Sequence, residues 1–181
     1  MMERKHLFVD GQWIPSTGTQ TLTVINPVTE EPIATVPRGT PEDADRAVRA
    51  AAKAFPLWRE TTVDERVEMF GKLASLTQQR ADELTRAMVS ELGYPAGPAH
   101  QSQTIGAVEE LQVMAASLRQ IQWTEQIGST RVRREPSGVL GAITAWNGPL
   151  RSVISVAVRP GWAASSMTTR HSLSEMSCCS A

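Results

Sequence analysis

Short apolar runs separated by turn-forming residues occupy the first 40 positions of the chain. Leu7–Ile14 contains two such runs around Asp10-Gly11, a dipeptide that strongly favours a tight β-hairpin turn. Residues 21–25 and 32–36 predict a second strand pair, and residues 26–30 between them are rich in turn formers. The start of the chain is therefore predicted to be a small antiparallel β structure.

From residue 40 to about residue 121 the apolar residues recur every three or four positions, which predicts four amphipathic helices. The first begins after Thr40, a capping residue, and is predicted to stop at Pro56. Thr62–Glu65 has the form of a capping box and starts the second helix, the third ends at Gly93, and the fourth runs from about Ala99 to Ile121. The residues predicted to face the core are Ala44, Ala47, Val48, Ala51 and Phe55 in the first helix, Val67, Phe70, Leu73 and Leu76 in the second, Ala81, Leu84, Met88 and Leu92 in the third, and Ile105, Val108, Leu111, Ala115 and Leu118 in the fourth.

Strand-like patterns return after residue 129. Thr130–Arg134 alternates as an edge or arm strand does. Val139–Ile143, with Gly138 before it and Gly141 within it, predicts a buried strand. The turn Trp146-Asn147-Gly148-Pro149 should then deliver an amide side chain to the carboxyl end of that strand, where ligands bind in open α/β sheets. Leu150–Val158 predicts the start of a helix that Arg159-Pro160-Gly161 breaks.

Composition and charge are those of an ordinary globular protein. The 181 residues suffice for one domain and are marginal for two, with 41% hydrophobic and 20% charged residues. A formal net charge of −1 argues against nucleic-acid and membrane partners. No apolar run reaches the roughly 18 residues needed to cross a bilayer, and the amino end lacks the apolar core of a secretory signal. We therefore expect a soluble, cytoplasmic protein.

The end of the chain differs in composition from the rest. Six of the 21 residues from Gly161 to Ala181 are serine and the apolar residues have no period, so we expect residues 158–181 to be an irregular tail. The only cysteines, Cys178 and Cys179, lie in this tail and cannot form a disulfide framework. A catalytic thiol requires a rigid site that lowers its pKa, which a serine-rich tail does not offer.

Other polar clusters favour structural interpretations. Glu109-Glu110 would diverge by about 100° on a helix, which is typical of a solvated face rather than of paired catalytic acids. His6, His100 and His171 lack metal-ligand spacing, so no metal site is predicted. Gly138-Val139-Leu140-Gly141 lacks the full glycine fingerprint of a phosphate-binding loop. Arg131, Arg133 and Arg134 belong to the predicted arm strand, so we expect them to be exposed to solvent rather than to bind nucleic acid.

Six segments between residues 7 and 157 form an ordered set. They are Phe8–Trp13, Ile25–Glu31, Asp45–Val48 with Ala51–Trp58, Arg66 within its helix, Glu91–Pro95, and Arg134–Leu150. In order and spacing the set resembles the amino-terminal portion of the NAD(P)-dependent aldehyde dehydrogenase superfamily. Each segment by itself is a weak indication of the family, but all six in this order are hard to obtain by chance.

The resemblance implies an α/β fold that is the amino-terminal part of an aldehyde dehydrogenase. This part would comprise small antiparallel β elements, four amphipathic helices and the start of a Rossmann-like parallel sheet, and it would be incomplete. Residues 1–157 would belong to the cofactor-binding domain, with an oligomerisation-arm strand near residues 129–135.

The resemblance also implies roles for the residues around the predicted turn. Asn147 would donate a hydrogen bond to the oxyanion of the substrate, although an asparagine in Trp-Asn-Gly-Pro is by itself more typical of a turn residue. The family more often has a proline at the position of Ala145 and a bulky residue at that of Gly148, so the floor of the pocket would differ here. The residues that would line the cofactor cleft are Ile143, Thr144, Ala145 and Trp146.

Beyond Ala157 the resemblance ends. The family continues its helix into a strand with a Lys-Pro-Ser-like end, and later supplies a glycine-rich cofactor turn, a general-base glutamate and a nucleophilic cysteine. We expect the chain to lack these features because its reading frame is truncated or shifted. A divergent short protein is the alternative.

Two functions follow from this interpretation. By family resemblance the chain belongs with enzymes that oxidise an aldehyde to a carboxylic acid with NAD or NADP. Because the nucleophile and the base are missing, we expect it to be inactive alone and to bind either cofactor weakly or not at all. The alternative is a non-catalytic association module that pairs with a full-length aldehyde dehydrogenase. Homo-oligomers are a further expectation.

Overall fold

Small strand pairs and amphipathic helices make up the described part of the chain, which is mixed α/β. The structure is a computed structural model that describes residues 2–3 and 6–157. Its strands are β1 (Met2–Glu3), β2 (His6–Val9), β3 (Gln12–Pro15), β4 (Thr21–Ile25), β5 (Pro32–Pro37), β6 (Thr124–Ile127) and β7 (Thr130–Arg133). Its helices are α1 (Pro41–Arg59), α2 (Val63–Gln79), α3 (Ala81–Leu92), α4 (Ala96–Pro98), a π-helical stretch (Ala99–Ile105), α5 (Gly106–Gln120) and α6 (Pro149–Ala157). The predicted irregular tail, with its helix break at Arg159-Pro160-Gly161, lies outside the described residues.

The strand pairs predicted in the first 40 residues are confirmed. β2 and β3 form an antiparallel hairpin, and Asp10 (φ +52°) and Gly11 (φ +76°) adopt the left-handed backbone that tight hairpin turns use. β4 and β5 also pair antiparallel. β1 pairs parallel with β5 and was not predicted, because two residues are too few to show a period.

Local signals set the starts of α1 and α2 and the end of α3 as predicted. The Thr40 hydroxyl accepts from the N–H of Asp43 while the Asp43 carboxylate accepts from the N–H of Thr40, which is a complete capping box. Thr62 and Glu65 form a second box at the start of α2, and the hydrogen bonds from Thr62 lower the pKa of Glu65. Gly93 ends α3 with φ +66°.

The predicted stop of α1 at Pro56 is wrong, since the helix continues to Arg59. A proline removes one hydrogen bond of the helix, but its φ is compatible with helical backbone. The final turn is stabilised from outside by Arg66, whose Nη2 donates to the carbonyls of Trp58 at 3.1 Å and Arg59 at 3.5 Å. A cation at the negative end of a helix favours that extra turn.

Two helices bury a face that only partly matches the predicted one. The residues of the predicted faces that are buried are Ala47 and Ala51 in α1 and Phe70 in α2, and those that are exposed are Ala44, Val48, Leu73 and Leu76. The residues that are buried without having been predicted are Asp43 in α1 and Arg66, Ala74 and Thr77 in α2. Both buried faces include a charged side chain, which the apolar period cannot predict because its burial depends on hydrogen-bond partners elsewhere in the chain.

The fourth predicted helix is confirmed in its extent but not in its regularity. Residues 96–120 are helical throughout, with the π-helical stretch between α4 and α5. Val108, Leu111 and Leu118 are buried as predicted, and Ile105 and Ala115 are half-buried. A π-helical insertion leaves the overall apolar period nearly unchanged, so the sequence pattern does not reveal it.

The largest apolar cluster joins α2, α5 and α6. It contains side chains from all three helices, namely Phe70, Ala74, Ala107, Val108, Leu111, Leu118 and Ile154. Because Ile154 is 4% exposed, α6 is attached to this core, and with it the turn that precedes α6. Of two smaller clusters, one joins β2 to α1 and the other is formed by side chains of the paired strands β4 and β5.

The region between α5 and α6 differs most from the prediction. Thr130–Arg133 is a strand as predicted, but it pairs antiparallel with β6, which the sequence pattern missed. The buried strand predicted over Val139–Ile143 is wrong: Val139 makes an isolated bridge, the next residues are irregular, and Ile143 is 91% exposed. A parallel strand needs neighbouring strands on its edges, and no described strand pairs with residues 140–143.

Candidate active-site turn

A tight turn carries Asn147 to the start of α6. The N–H of Gly148 donates to the carbonyl of Ala145 at 3.4 Å, and the N–H of Ser152 donates to the carbonyl of Gly148 at 2.9 Å. Pro149 is buried at the first position of α6, where the missing N–H costs nothing. Asn147 is exposed. The predicted turn is therefore present, although the strand expected to lead into it is not.

The four residues predicted to line a cofactor cleft lead into this turn, and Trp146, the last of them, is its first residue. Ile143 is 91% and Trp146 is 49% exposed, Ala145 is exposed, and Thr144 is half-buried. Large apolar side chains at such exposure present a surface on which a flat ring can pack. This segment with its exposed apolar side chains therefore leads along the chain directly into Asn147.

The support for the turn comes from α5 and the π-helical stretch. Arg151 of α6 lies 3.5 Å from the carboxylate of Glu110, whose side chain is 18% exposed. The Arg151 side chain also packs over Gly106, where a Cβ atom would lie 3.5 Å from its Cδ. Glu110 therefore does not lie on a fully solvated face as predicted, because α6 covers it, whereas Glu109 is exposed.

Gln103 is a residue of this site that sequence reasoning missed. It lies in the π-helical stretch, is 8% exposed, and its Oε1 is buried without a hydrogen-bond partner. A Cβ atom at Gly148 would lie 3.6 Å from Gln103 Nε2 and 3.7 Å from Oε1, so the amide faces the turn. No sequence signal predicts this contact, since the two residues are 45 positions apart, Gln103 in the π-helical stretch and Gly148 in the turn before α6.

The other polar residues considered as candidate ligands in the sequence have contacts that stabilise the fold. His100 contacts the Thr85 hydroxyl at 3.3 Å, and that hydroxyl lies 3.2 Å from the Thr104 hydroxyl. Gly138 has φ +120°, a backbone that favours glycine. Within residues 6–157 no group of three histidine, cysteine or acidic side chains could hold a metal ion. Residues predicted in the tail, namely His171, Cys178 and Cys179, lie outside the described part.

Asp43 is a buried carboxylate away from the turn. Its oxygens accept hydrogen bonds from the Ser16 hydroxyl at 2.5 Å, the Thr17 N–H at 3.0 Å and the Thr40 N–H at 3.1 Å. Burial by itself would raise the pKa of Asp43, but these hydrogen bonds outweigh it and lower the pKa from 3.8 to about 2. The carboxylate thus joins the loop after β3 to the start of α1.

Arg66 is the second buried ionised side chain. Its guanidinium lies 5.2 Å from the ring centre of Trp58 and 5.9 Å from that of Trp123, and its Nε donates to the Thr61 hydroxyl at 2.8 Å. Burial lowers the pKa of Arg66. Its contacts are with carbonyls, a hydroxyl and aromatic rings, so its role is to join the end of α1 to α2 and to the segment before β6.

The helices within residues 6–157 include none with the length and apolar character that a membrane crossing requires. Exposed arginines occupy the β6–β7 hairpin, where Arg134 lies 3.5 Å from Glu125 and Arg133 lies 3.4 Å from Glu135. Arg131 is likewise exposed. Nearby acids thus balance part of this local positive charge.

Comparison with known proteins identifies the aldehyde dehydrogenase family. The profile of the aldehyde dehydrogenase family matches residues 13–168, a range that includes the turn and ends eleven residues after Ala157. A curated relative, 3-succinoylsemialdehyde-pyridine dehydrogenase of a Pseudomonas species, is 37% identical over 165 residues, covering 91% of this chain and 34% of the relative.

Solved structures agree with the family match. The aldehyde dehydrogenase of Bartonella henselae superposes with a TM-score of 0.81 at 28% identity, covering 85% of this chain and 33% of that one. A mutant of aldehyde dehydrogenase C from Pseudomonas syringae, complexed with NAD+ and octanal, superposes with a TM-score of 0.81 at 34% identity, covering 83% and 31%. The chain thus spans about a third of the length of these relatives. Because the family profile covers most of the sequence and the turn that carries Asn147, this chain belongs to the aldehyde dehydrogenase family.

Proposed function

We propose that the turn at Asn147 is the oxyanion-binding part of an NAD(P)-dependent aldehyde dehydrogenase site, which converts an aldehyde to a carboxylic acid. The observation that carries this proposal is the direct succession of an exposed apolar segment, Ile143–Trp146, and an exposed amide on a turn held by the core. The family membership of the chain supports it.

In this proposal the Asn147 amide donates a hydrogen bond to the substrate oxygen when negative charge develops on it. Such a donor is worth roughly 3–4 kcal/mol in related acyl chemistry. The anchoring of α6 through Ile154 and Arg151 keeps the donor in place before the substrate arrives, so little reorganisation is needed.

NAD or NADP fits the apolar segment, since the exposed Ile143 and Trp146 side chains offer an apolar surface to a planar ring. When bound, the cofactor supplies the hydride acceptor of the oxidation. The role of Ile143 and Trp146 in this proposal is to orient the cofactor ring beside the Asn147 amide and to exclude water from the face of the ring that they cover.

A polypeptide of these 181 residues is proposed to be inactive by itself. Aldehyde oxidation by this route needs a thiolate nucleophile and a base that activates water. The sequence offers only Cys178 and Cys179, adjacent to one another in a segment without apolar period. We assign residues 1–157 to the amino-terminal part of the cofactor-binding domain, with an oligomerisation-arm strand near residues 129–135, and the chain to the cytoplasm. Residues 158–181 form a segment of different composition, which the family profile enters as far as residue 168.

Activity is tested on the purified chain with NAD+ or NADP+ and a panel of aldehydes, by the absorbance of the reduced nicotinamide. We expect no turnover above that of the Cys178→Ser/Cys179→Ser variant, with an active family member as positive control. Turnover that persists in the double variant, in preparations free of host enzymes, would show that another nucleophile acts.

The cofactor surface is tested by titrating the ¹⁵N-labelled chain with NAD+ into the millimolar range. We expect small shifts confined to residues 143–147, which Trp146→Ala abolishes and Trp13→Ala leaves unchanged. Trp13 is a matched control because it is 50% exposed, as Trp146 is 49% exposed, and lies in the β2–β3 hairpin. Shifts located elsewhere, or the absence of shifts at 143–147, would contradict the assignment.

A second proposal is association through the β6–β7 hairpin, either between copies or with a full-length aldehyde dehydrogenase. The hairpin has mostly exposed residues on both strands, and Ile127 at its tip is 57% exposed. A two-stranded sheet leaves backbone groups unpaired on both edges and gains stability when a further strand pairs with it. Native mass spectrometry, with and without a full-length relative, tests this. Mixed assemblies that Ile127→Lys abolishes are expected, and unchanged assemblies would contradict a role for the hairpin.

A further inference from the structure

Asn147 and Gly148 form an Asn-Gly dipeptide in an exposed turn. Asn147 is exposed, so water reaches its side chain. The chain has one other asparagine, Asn26, and Pro27 follows it. Proline has no backbone N–H, whereas glycine has one and carries no side chain that would hinder its approach to a neighbouring group. The two asparagines therefore differ in whether the backbone nitrogen of the next residue can act as a nucleophile.

The backbone nitrogen of Gly148 is held by a weak hydrogen bond. Its N–H donates to the carbonyl of Ala145 at 3.4 Å, which is longer than the usual range of about 2.7–3.2 Å for such bonds. The carbonyl of the same residue is held more firmly, since it accepts from the N–H of Ser152 at 2.9 Å. Release of the Gly148 nitrogen therefore costs little free energy and leaves the start of α6 in place.

We propose that Asn147-Gly148 is a self-modification site, at which the backbone nitrogen of Gly148 attacks the side-chain carbonyl carbon of Asn147. The nitrogen loses its proton to water and bonds to Cγ, which closes a five-membered imide ring. The Cγ–Nδ2 bond breaks, and Nδ2 takes up a proton from water and leaves as ammonia. Water then opens the ring at Cγ, which gives aspartate, or at the backbone carbonyl, which gives isoaspartate. The net change converts one amide and one water into one carboxylate and one ammonium ion, without oxidation or reduction.

The modification removes the group on which the proposed function depends. A carboxylate accepts hydrogen bonds and donates none, so an aspartate at position 147 cannot stabilise a developing oxyanion, and its negative charge opposes one. Isoaspartate also adds a methylene to the main chain just before the first turn of α6. The site thus limits how long the turn can bind an oxyanion. The chemical step does not rest on the proposed function; only this consequence does.

Peptide mapping of the full 181-residue chain, incubated at neutral pH and body temperature, tests the chemical step. Tryptic cleavage after Arg134 and Arg151 gives a peptide whose only side-chain amide is that of Asn147. Conversion of this amide to a carboxylic acid raises the peptide mass by about 1 Da. Chromatography separates the aspartate and isoaspartate forms. The peptide that contains Asn26 is the internal control, and the urea-unfolded chain is the reference for an unprotected site.

Two variants test the mechanism. Gly148→Ala keeps the backbone nitrogen and adds a methyl group beside it. The added Cβ would lie 3.6–3.9 Å from its nearest neighbours, which is ordinary contact, and the Gly148 φ is not left-handed, so the variant should fold. Asn147→Gln keeps a side-chain amide but moves its carbonyl carbon one bond farther from the nitrogen. Far-ultraviolet circular dichroism checks that both variants retain the helices.

We expect the heavier form of the Asn147 peptide to accumulate as both aspartate and isoaspartate, while the Asn26 peptide keeps its amide. The rate should fall severalfold in Gly148→Ala, and Asn147→Gln should show no mass increase over the same period. A mass increase in the urea-unfolded chain but not in the folded chain would show that the turn protects the amide and would overturn the proposal. Aspartate without isoaspartate, or an unchanged rate in Gly148→Ala, would overturn attack by the Gly148 nitrogen.

Discussion

Replacing Asp43 with asparagine is expected to weaken the junction between the loop after β3 and the start of α1. The asparagine has nearly the same size, but its amide nitrogen cannot accept the hydrogen bonds that the carboxylate receives from Ser16, Thr17 and Thr40. The N–H groups of Thr17 and Thr40 would then lose a charged acceptor while the Asp43 position itself stays buried, which is the costly way to break a hydrogen bond.

The magnitude follows from the pKa of Asp43, which is about 2 in the folded protein against 3.8 for an ordinary aspartate. The difference corresponds to about 2.4 kcal/mol at 1.36 kcal/mol per pKa unit. Because exposed residues surround the network, solvent screening reduces this to about 1–2 kcal/mol. The folded pKa is the lower one, so the stabilisation is complete above about pH 5 and is lost as the pH falls through 3.8 towards 2.

Urea unfolding followed by far-ultraviolet circular dichroism, at pH 7 and near pH 3, measures this effect. We expect Asp43→Asn to lower the free energy of unfolding by about 1–2 kcal/mol at pH 7, and the gap to wild type to shrink by nearly half near pH 3. Asp45→Asn is the matched control, since Asp45 is exposed and forms an ion pair at 2.8 Å with the exposed Arg49, one helical turn away in α1. The reasoning is refuted if the two variants are equally stable at pH 7, or if the gap does not change with pH.

Three further outcomes are expected. Arg66→Lys should lower the free energy of unfolding by about 2 kcal/mol, because an ammonium cannot reproduce the forked contacts with Trp58 and its neighbours. The control Arg86→Lys, at an exposed position, should change the free energy of unfolding by less than about 0.5 kcal/mol in the same urea titration. Gly93→Ala should destabilise the protein by about 1–2 kcal/mol, because the Gly93 φ of +66° is left-handed. Gly71→Ala, where a Cβ on α2 meets no other atom, should stabilise it by about 0.5–1 kcal/mol. Thermal melts should therefore shift the melting temperature in opposite directions for the two variants, and shifts in the same direction would contradict the reasoning. Calorimetry with NAD+ should give no micromolar dissociation constant, because one exposed segment cannot offset the entropy of binding a dinucleotide.

Much of the fold followed from local signals. The Asp10-Gly11 turn, the cap at Thr40, the capping box at Thr62 and the helix end at Gly93 all formed as predicted, since each depends on residues within about four positions. The candidate site was predicted less completely. Asn147 and the turn were found from the sequence, but Gln103 was not, because its position beside Gly148 depends on how two distant helical segments pack.

The predictions that failed depend on neighbours distant in the sequence. Val139–Ile143 has the composition of a buried strand, but such a strand forms only beside others, and no described strand pairs with residues 140–143. The apolar period favoured Val48 over Asp43 as a buried residue of α1. Hydrogen bonds from Ser16 and Thr17, 26 or more residues earlier, stabilise the buried carboxylate and reverse that preference.

The sequence by itself determined where the helices begin, where tight turns occur and which family the chain resembles, because these depend on residue type and short-range spacing. Only the tertiary structure decided which helix faces are buried, that α1 passes through Pro56, and that the amide of Gln103 faces the turn beside Asn147. The physical reason is the same in each case. Burial of a charge, an amide or a helix end is favourable only when partners from other segments satisfy its hydrogen bonds, and chain packing alone brings those partners together.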